Sequence, residues 1–116
     1  MKISSLSIQQ TGSTYSELDM QTELQRIIEL RLLTPVFQPI IALDSRRILG
    51  YEALIRGPEA SPLHTPDQLF STARTTKQLA ALEFACRAAS CEKFVELNLS
   101  GKLFLNMTPP SFTDCQ

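Results

Sequence analysis

The sequence holds one histidine, three cysteines and almost no net charge, and each scarcity closes off a class of function. His64 has no second histidine with which to build a histidine-based metal cluster. It lies between Leu63 and Thr65 in a proline-rich loop and reads as a surface residue without a role. Cys86, Cys91 and Cys115 are odd in number and match neither a metal-ligand spacing nor a disulfide framework. Eleven Lys and Arg against twelve Asp and Glu give a net charge of −1. That balance removes the electrostatic case for a nucleic-acid polymer or an acidic membrane surface. No apolar run approaches the roughly 20 residues that span a bilayer. The opening stretch MKISSLSIQQ carries one lysine but no apolar core, unlike a signal peptide. Reduced thiols and no secretion signal make the cytoplasm the expected compartment.

What is present is globular. Apolar residues make up 43% and charged residues 20% of 116 positions, enough for one small domain. Residues 1–15 are rich in Ser, Thr and Gln and read as a flexible tail. The spacing over 16–33 predicts a helix, with Ser16 as cap, Asp19 three residues on, and Pro35 marking the exit. A strand is predicted over 36–43. Pro39 inside it argues for an edge position. The polar stretch 44–47 reads as the turn of a hairpin. Pro66, with Thr65 as its cap, begins a helix on which Leu69, Phe70 and Ala73 can pack. A longer helix is predicted over 77–96, with two adjacent apolar stripes. Leu79, Leu82, Cys86 and Ala89 form one; Phe84, Ala88, Cys91 and Val95 form the other. Together they predict a broad face laid on a sheet rather than a two-helix seam. Both cysteines are then expected to be buried small hydrophobes. Glu83 stands out within that apolar region, and pointing to solvent would account for it. A last strand is predicted over 102–107.

The chemistry concentrates on the stretch ILGYEALIRGP, residues 48–58. Its centre alternates. Leu49, Tyr51, Ala53 and Ile55 fall on one face, and Gly50, Glu52, Leu54 and Arg56 on the other. The second face carries a carboxylate and a guanidinium on a strand otherwise suited to burial. Buried carboxylates are paired, hydrogen-bonded or metal-bound. Either that face is half exposed, or Glu52 and Arg56 belong to a ligand site at the end of a core strand. Asn106, at the end of the last predicted strand, repeats the situation. The order of elements is helix, hairpin, two helices and a strand. A crossover through helices joins parallel strands, so the chain reads as the opening part of a larger α/β fold.

The stretch YEALIRGP resembles the signature of the EAL family, the bacterial cyclic-di-GMP phosphodiesterase domains. The Glu-Ala-Leu tripeptide is Glu52, Ala53 and Leu54. Phe37-Gln38-Pro39-Ile40 precedes it at the family's hairpin distance, and Arg56 follows at the family's offset. Asn106, in LFLNMTP, resembles the asparagine ending the family's next barrel strand. Leu82-Glu83 and Arg87 follow the family's course, and the likeness runs over about residues 19–111.

The resemblance implies the fold class: a modified (β/α)8 TIM-like barrel with an antiparallel first strand, incomplete in this chain. Residues 16–116 would be the first part of that barrel. It implies Glu52 and Asn106 as ligands of Mg2+ or Mn2+, and Gln38, Leu54 and Arg56 as the lining of the dinucleotide site. The implied reaction is hydrolysis of cyclic-di-GMP to pGpG. The family's further acids and its lysine lie downstream of Asn106 and have no counterpart here. The 116 residues are therefore expected to be inactive alone. The alternative is a non-catalytic cyclic-di-GMP receptor or regulatory interaction module. An open sheet edge predicts self-association into a homo-oligomer, and a sensory or regulatory protein partner is the other expectation.

Overall fold

The computed structural model of the chain describes residues 15–105. Helix α1 (Glu17–Glu29) begins where the sequence places it. Ser16 Oγ accepts from the Asp19 amide at 3.1 Å, and the Asp19 carboxylate accepts from the Ser16 amide at 3.2 Å. This reciprocal box satisfies two of the amides that a helix start leaves without partners. Leu24 and Ile27 are its buried positions.

The helix ends earlier than the expected position 33. Arg31 takes a left-handed φ of 57°, its amide donates to Ile28 O, and the Leu32 amide reaches back to Ile27 O at 3.0 Å. That is a Schellman stop with arginine in the place that glycine usually takes. The chain is extended again from Thr34, so β1 (Thr34–Ile41) starts and ends two residues before the predicted 36–43 strand. Pro35 lies inside β1 rather than at the helix exit.

β1 pairs antiparallel with β2 (Ile48–Arg56), as the hairpin pattern predicted. The turn is closed by the Ala42 amide donating to Arg47 O at 2.8 Å, with Arg46 at φ 58°. By parity the amides of residues 34, 36, 38 and 40 also face β2. Pro35 and Pro39 therefore fall on the outer side of the edge strand, where a missing donor costs no ladder bond. The register shifts between Ile40 and Ile41, leaving Leu49 as an extra residue on β2. Leu49 is exposed, so the predicted Leu49-Tyr51-Ala53-Ile55 face holds only from Tyr51 onward.

Helix α2 (Pro66–Thr75) carries a second capping box between Thr65 and Gln68. Leu69 and Ala73 are buried, and Phe70 is half-buried. It stops in the same manner as α1. Lys77 sits at φ 60° and the Gln78 amide donates to Ala73 O. Helix α3 (Leu79–Glu96) thus starts two residues later than predicted, because Lys77 closes α2. Asn98, at φ 56°, ends α3 with the same pair of reversed bonds. A non-glycine residue in this conformation is strained by about 1 kcal/mol. Lys77→Gly is accordingly expected to raise stability by about 0.5–1 kcal/mol. The urea midpoint measures this, and a lowered midpoint would contradict it.

β3 (Lys102–Leu105) pairs parallel with β2, giving a mixed three-stranded sheet in the order β1-β2-β3. The alternation of strands and helices is that of a TIM-like barrel in part; the three described strands do not close one. The helices pack on the Tyr51 face of the sheet. Phe94 of α3 makes edge-on contacts with Phe37 and Tyr51 at centroid distances of 6.0 and 6.3 Å. The core joins Leu24, Ile27, Leu33, Ile55, Leu63, Leu69, Ala73, Leu82 and Cys86.

Three expectations for α3 and its surroundings are corrected. Cys86 is buried as expected, but Cys91 is exposed, because it lies on the side of α3 away from the sheet. Phe84 and Val95 point outward too, at 67% and 76% exposure. Glu83 does not point to solvent; it is 2% exposed on the inward side. Burial, then the Glu83 charge, pushes the Cys86 thiol up to about 12, with Arg87 opposing. Such a thiol is a packing residue rather than a nucleophile.

Candidate functional site

Strand alternation sends Glu52, Leu54 and Arg56 to the sheet face opposite Tyr51, away from the helices. Antiparallel pairing fills out that face from β1. Gln38 stands directly opposite Glu52, Val36 opposite Leu54, and Thr34 opposite Arg56. Side chains so paired have Cβ atoms about 4.5–5.5 Å apart. From the other side, parallel pairing sets Phe104 beside Glu52. Glu52 therefore stands mid-sheet between an amide and an aromatic ring.

Glu52 and Arg56 are both half-buried, yet they do not neutralise each other. Four residues along a strand separate them by about 13 Å. Among the described residues Glu52 makes no hydrogen bond or ion pair. Arg56 Nη1 donates to the neighbouring Ile55 O at 3.2 Å. A guanidinium has five N–H donors, so among the described residues most of its capacity stays available for a ligand. Gln38 is exposed, and Leu54 supplies an apolar surface between the two charges. Such a face can receive a molecule that carries both a cation-seeking anion and flat apolar parts.

The backbone under Arg56 is held firmly. The Gly57 amide donates to His64 O at 2.8 Å, and His64 Nδ1 lies 3.0 Å from Gly57 O. His64 is thus half-buried and ties the loop to the strand end, which corrects its reading as a surface residue without a role. Gly57 is required there, since a Cβ would stand 2.1 Å from Leu63 O. The loop is fastened to α1 as well. Ser61 Oγ donates to Glu23 at 2.6 Å, and Glu23 receives Arg26 at 3.0 and 3.1 Å. Arg26 first, against the opposing effect of partial burial, and then Ser61 hold the Glu23 carboxyl below its usual range.

Of the residues singled out in the sequence, the structure brings Gln38, Glu52, Leu54 and Arg56 onto one face. Asn106 lies outside the described residues. No group of three or more His, Cys, Asp or Glu side chains that could hold a metal ion occurs among the described residues. Thr34 and Phe104 share the face and were not singled out. Their register partners, Arg56 and Glu52, could have pointed to them only once the pairing was known. Compared with models of known protein families, residues 21–116 match the one described as EAL domain. None of the curated proteins compared matches the chain.

Proposed function

From the premise that this chain belongs to the EAL domain family, we propose that its helix-free sheet face is part of a cyclic-di-GMP site, and that the complete domain hydrolyses cyclic-di-GMP to pGpG. The observation that carries this reading is the register that gathers Gln38, Glu52, Leu54 and Arg56 on that one face. Arg56 pairs with a phosphate through its planar fork, a geometry that lysine cannot offer. Leu54 meets the apolar surface of the dinucleotide, and Gln38 supplies amide hydrogen bonds at its edge.

Glu52 is the carboxylate available to a divalent cation. It is half-buried, without a protein partner among the described residues, and it faces the Gln38 amide. Oxygen donors of this kind suit Mg2+ or Mn2+, which need only one or two carboxylates when substrate phosphates and water complete the shell. Asn106 is the second ligand in this proposal. A cation held there would lower the pKa of a bound water and offset charge on the phosphoryl oxygens.

A (β/α)8 barrel takes about 250 residues, more than 116 can supply. Residues 1–116 alone are therefore proposed to lack turnover, and non-catalytic binding of cyclic-di-GMP is the second reading. Among the described residues Glu52 is the single carboxylate on the face and belongs to no larger ligand cluster, which favours that reading for the isolated chain. No helix among the described residues is long and apolar enough to cross a membrane, and the cytoplasm is the compartment this reading implies. Incubating the purified chain with cyclic-di-GMP and Mg2+ or Mn2+ tests it. No pGpG is expected. Metal-dependent pGpG formation would overturn the claim of inactivity, and a complete domain that neither binds nor cleaves cyclic-di-GMP would overturn the site.

A further inference from the structure

Helix α3 buries Leu82, Glu83, Cys86 and Ser90 toward the sheet and core, yet carries an apolar stripe on its outer side as well. Diametrically across the helix run Ala81, Phe84, Ala88, Cys91 and Val95. All but the half-buried Ala88 are exposed. A helix on the surface of a domain normally turns polar residues outward, so an apolar stripe on the outer side calls for a cover. The spacing of the outer residues is three, four, three, four. That is the 3.5-residue period of a two-helix seam, with Ala81, Ala88 and Val95 at one core position and Phe84 and Cys91 at the other. At 1.5 Å per residue the stripe is about 21 Å long. Beside it a groove of about 480 Å³ opens between α3 and the segment from Ile28 to Pro35, with room for side chains of a second helix.

The charges flanking the stripe choose the occupant and its direction. Arg87 borders one side, its guanidinium 5.9 Å from the centre of the Phe84 ring. Glu92 borders the other, 3.3 Å from Arg31. They occupy the two flanking heptad positions, five residues apart. In a parallel pair of identical helices those positions meet across the seam, positive to negative, twice by symmetry. An antiparallel pair would set arginine toward arginine and glutamate toward glutamate.

We propose that the outer face of α3 is a self-association surface on which two copies of this chain dock in parallel along Ala81, Phe84, Ala88, Cys91 and Val95, with Arg87 of each facing the partner's Glu92. A two-fold axis parallel to α3 generates the pair, so the contact closes on itself and does not propagate. The axis also brings Cys91 next to the partner's Cys91 at a core position of the seam.

The test uses the 116-residue chain with Cys115→Ser, so that Cys91 is the accessible thiol; Cys86 is buried. Sedimentation velocity is expected to give a dimer at micromolar concentration. Mild diamide oxidation is expected to link it through Cys91. Val95→Glu and Phe84→Glu are each expected to weaken the dimer by about tenfold or more, with the far-UV circular dichroism unchanged because both positions are exposed. A monomer throughout would overturn the proposal. So would a dimer that neither variant weakens, the outcome expected of pairing at the β3 edge. A dimer without a Cys91 link would also overturn it, since an antiparallel seam separates the two thiols.

Discussion

Glu52→Ala, made in a complete EAL barrel that begins with this sequence, is expected to cut pGpG formation by about 10³-fold while leaving thermal stability within about 1 kcal/mol. The two halves of this result have separate causes. Among the described residues Glu52 has no hydrogen-bond or ion-pair partner, so its removal leaves no buried group without one. The side chain is only half-buried between Gln38 and Phe104, so little packing is lost. A structural carboxylate would behave in the opposite way and lower the melting temperature. Arg56→Lys in the same domain separates charge from shape. Lysine keeps the positive charge but not the planar fork, and the expected loss is about 10- to 100-fold, expressed in binding. Assays of pGpG by chromatography, with melting curves run alongside, read both variants. Full activity in Glu52→Ala would remove this residue from the site.

Gly50→Ala is expected to destabilise the domain by about 3 kcal/mol, measured as a shift in the urea midpoint of the 116-residue chain. An alanine Cβ at Gly50 would stand 2.1 Å from the Lys102 carbonyl oxygen and 2.9 Å from that residue's amide nitrogen. Both are backbone atoms of the paired strand, so no side chain can swing aside. β3 must retreat from β2 or the mutation must bend β2 beneath Glu52. Phe104, 40% exposed beside Glu52, would move with it. Wild-type stability in Gly50→Ala would mean that β3 does not approach β2 as closely as this.

The two capped helix starts were legible in the sequence, and the glycine-free turns after α1 and α2 were not. Ser16 with Asp19, and Thr65 with Pro66, are residues whose side chains or ring fit a first turn, and their type announces the position. The turns at Arg31 and Lys77 use the conformation that glycine favours without glycine, so the sequence pattern carries α1 on to 33 and starts α3 at 77, whereas the end of α3 at Glu96 agrees with it. The hairpin was legible from its period and turn. The extra residue at Leu49 was not, because a bulge leaves composition unchanged. Alternation alone placed Glu52 and Arg56 on one face. It could not set Gln38 opposite Glu52, which depends on counting pairs across that bulge. Apolar spacing likewise marks both stripes of α3 without saying which one meets the sheet, so it places Val95 inward and leaves the side of Glu83 open.

The pairing of a local hairpin with a distant parallel strand also sets an order of assembly. β1 and β2 close through a short turn, an event of microseconds in isolated hairpins. β3 can join only after the chain has passed through α2 and α3, and that closure costs more entropy. The Gly50–Lys102 contact belongs to this late step. Its loss should therefore speed unfolding and leave the folding rate nearly unchanged. The strand that bears Glu52 thus acquires its first neighbour early and its second late, and the candidate face is completed only when the more distant of the two described strand pairings forms.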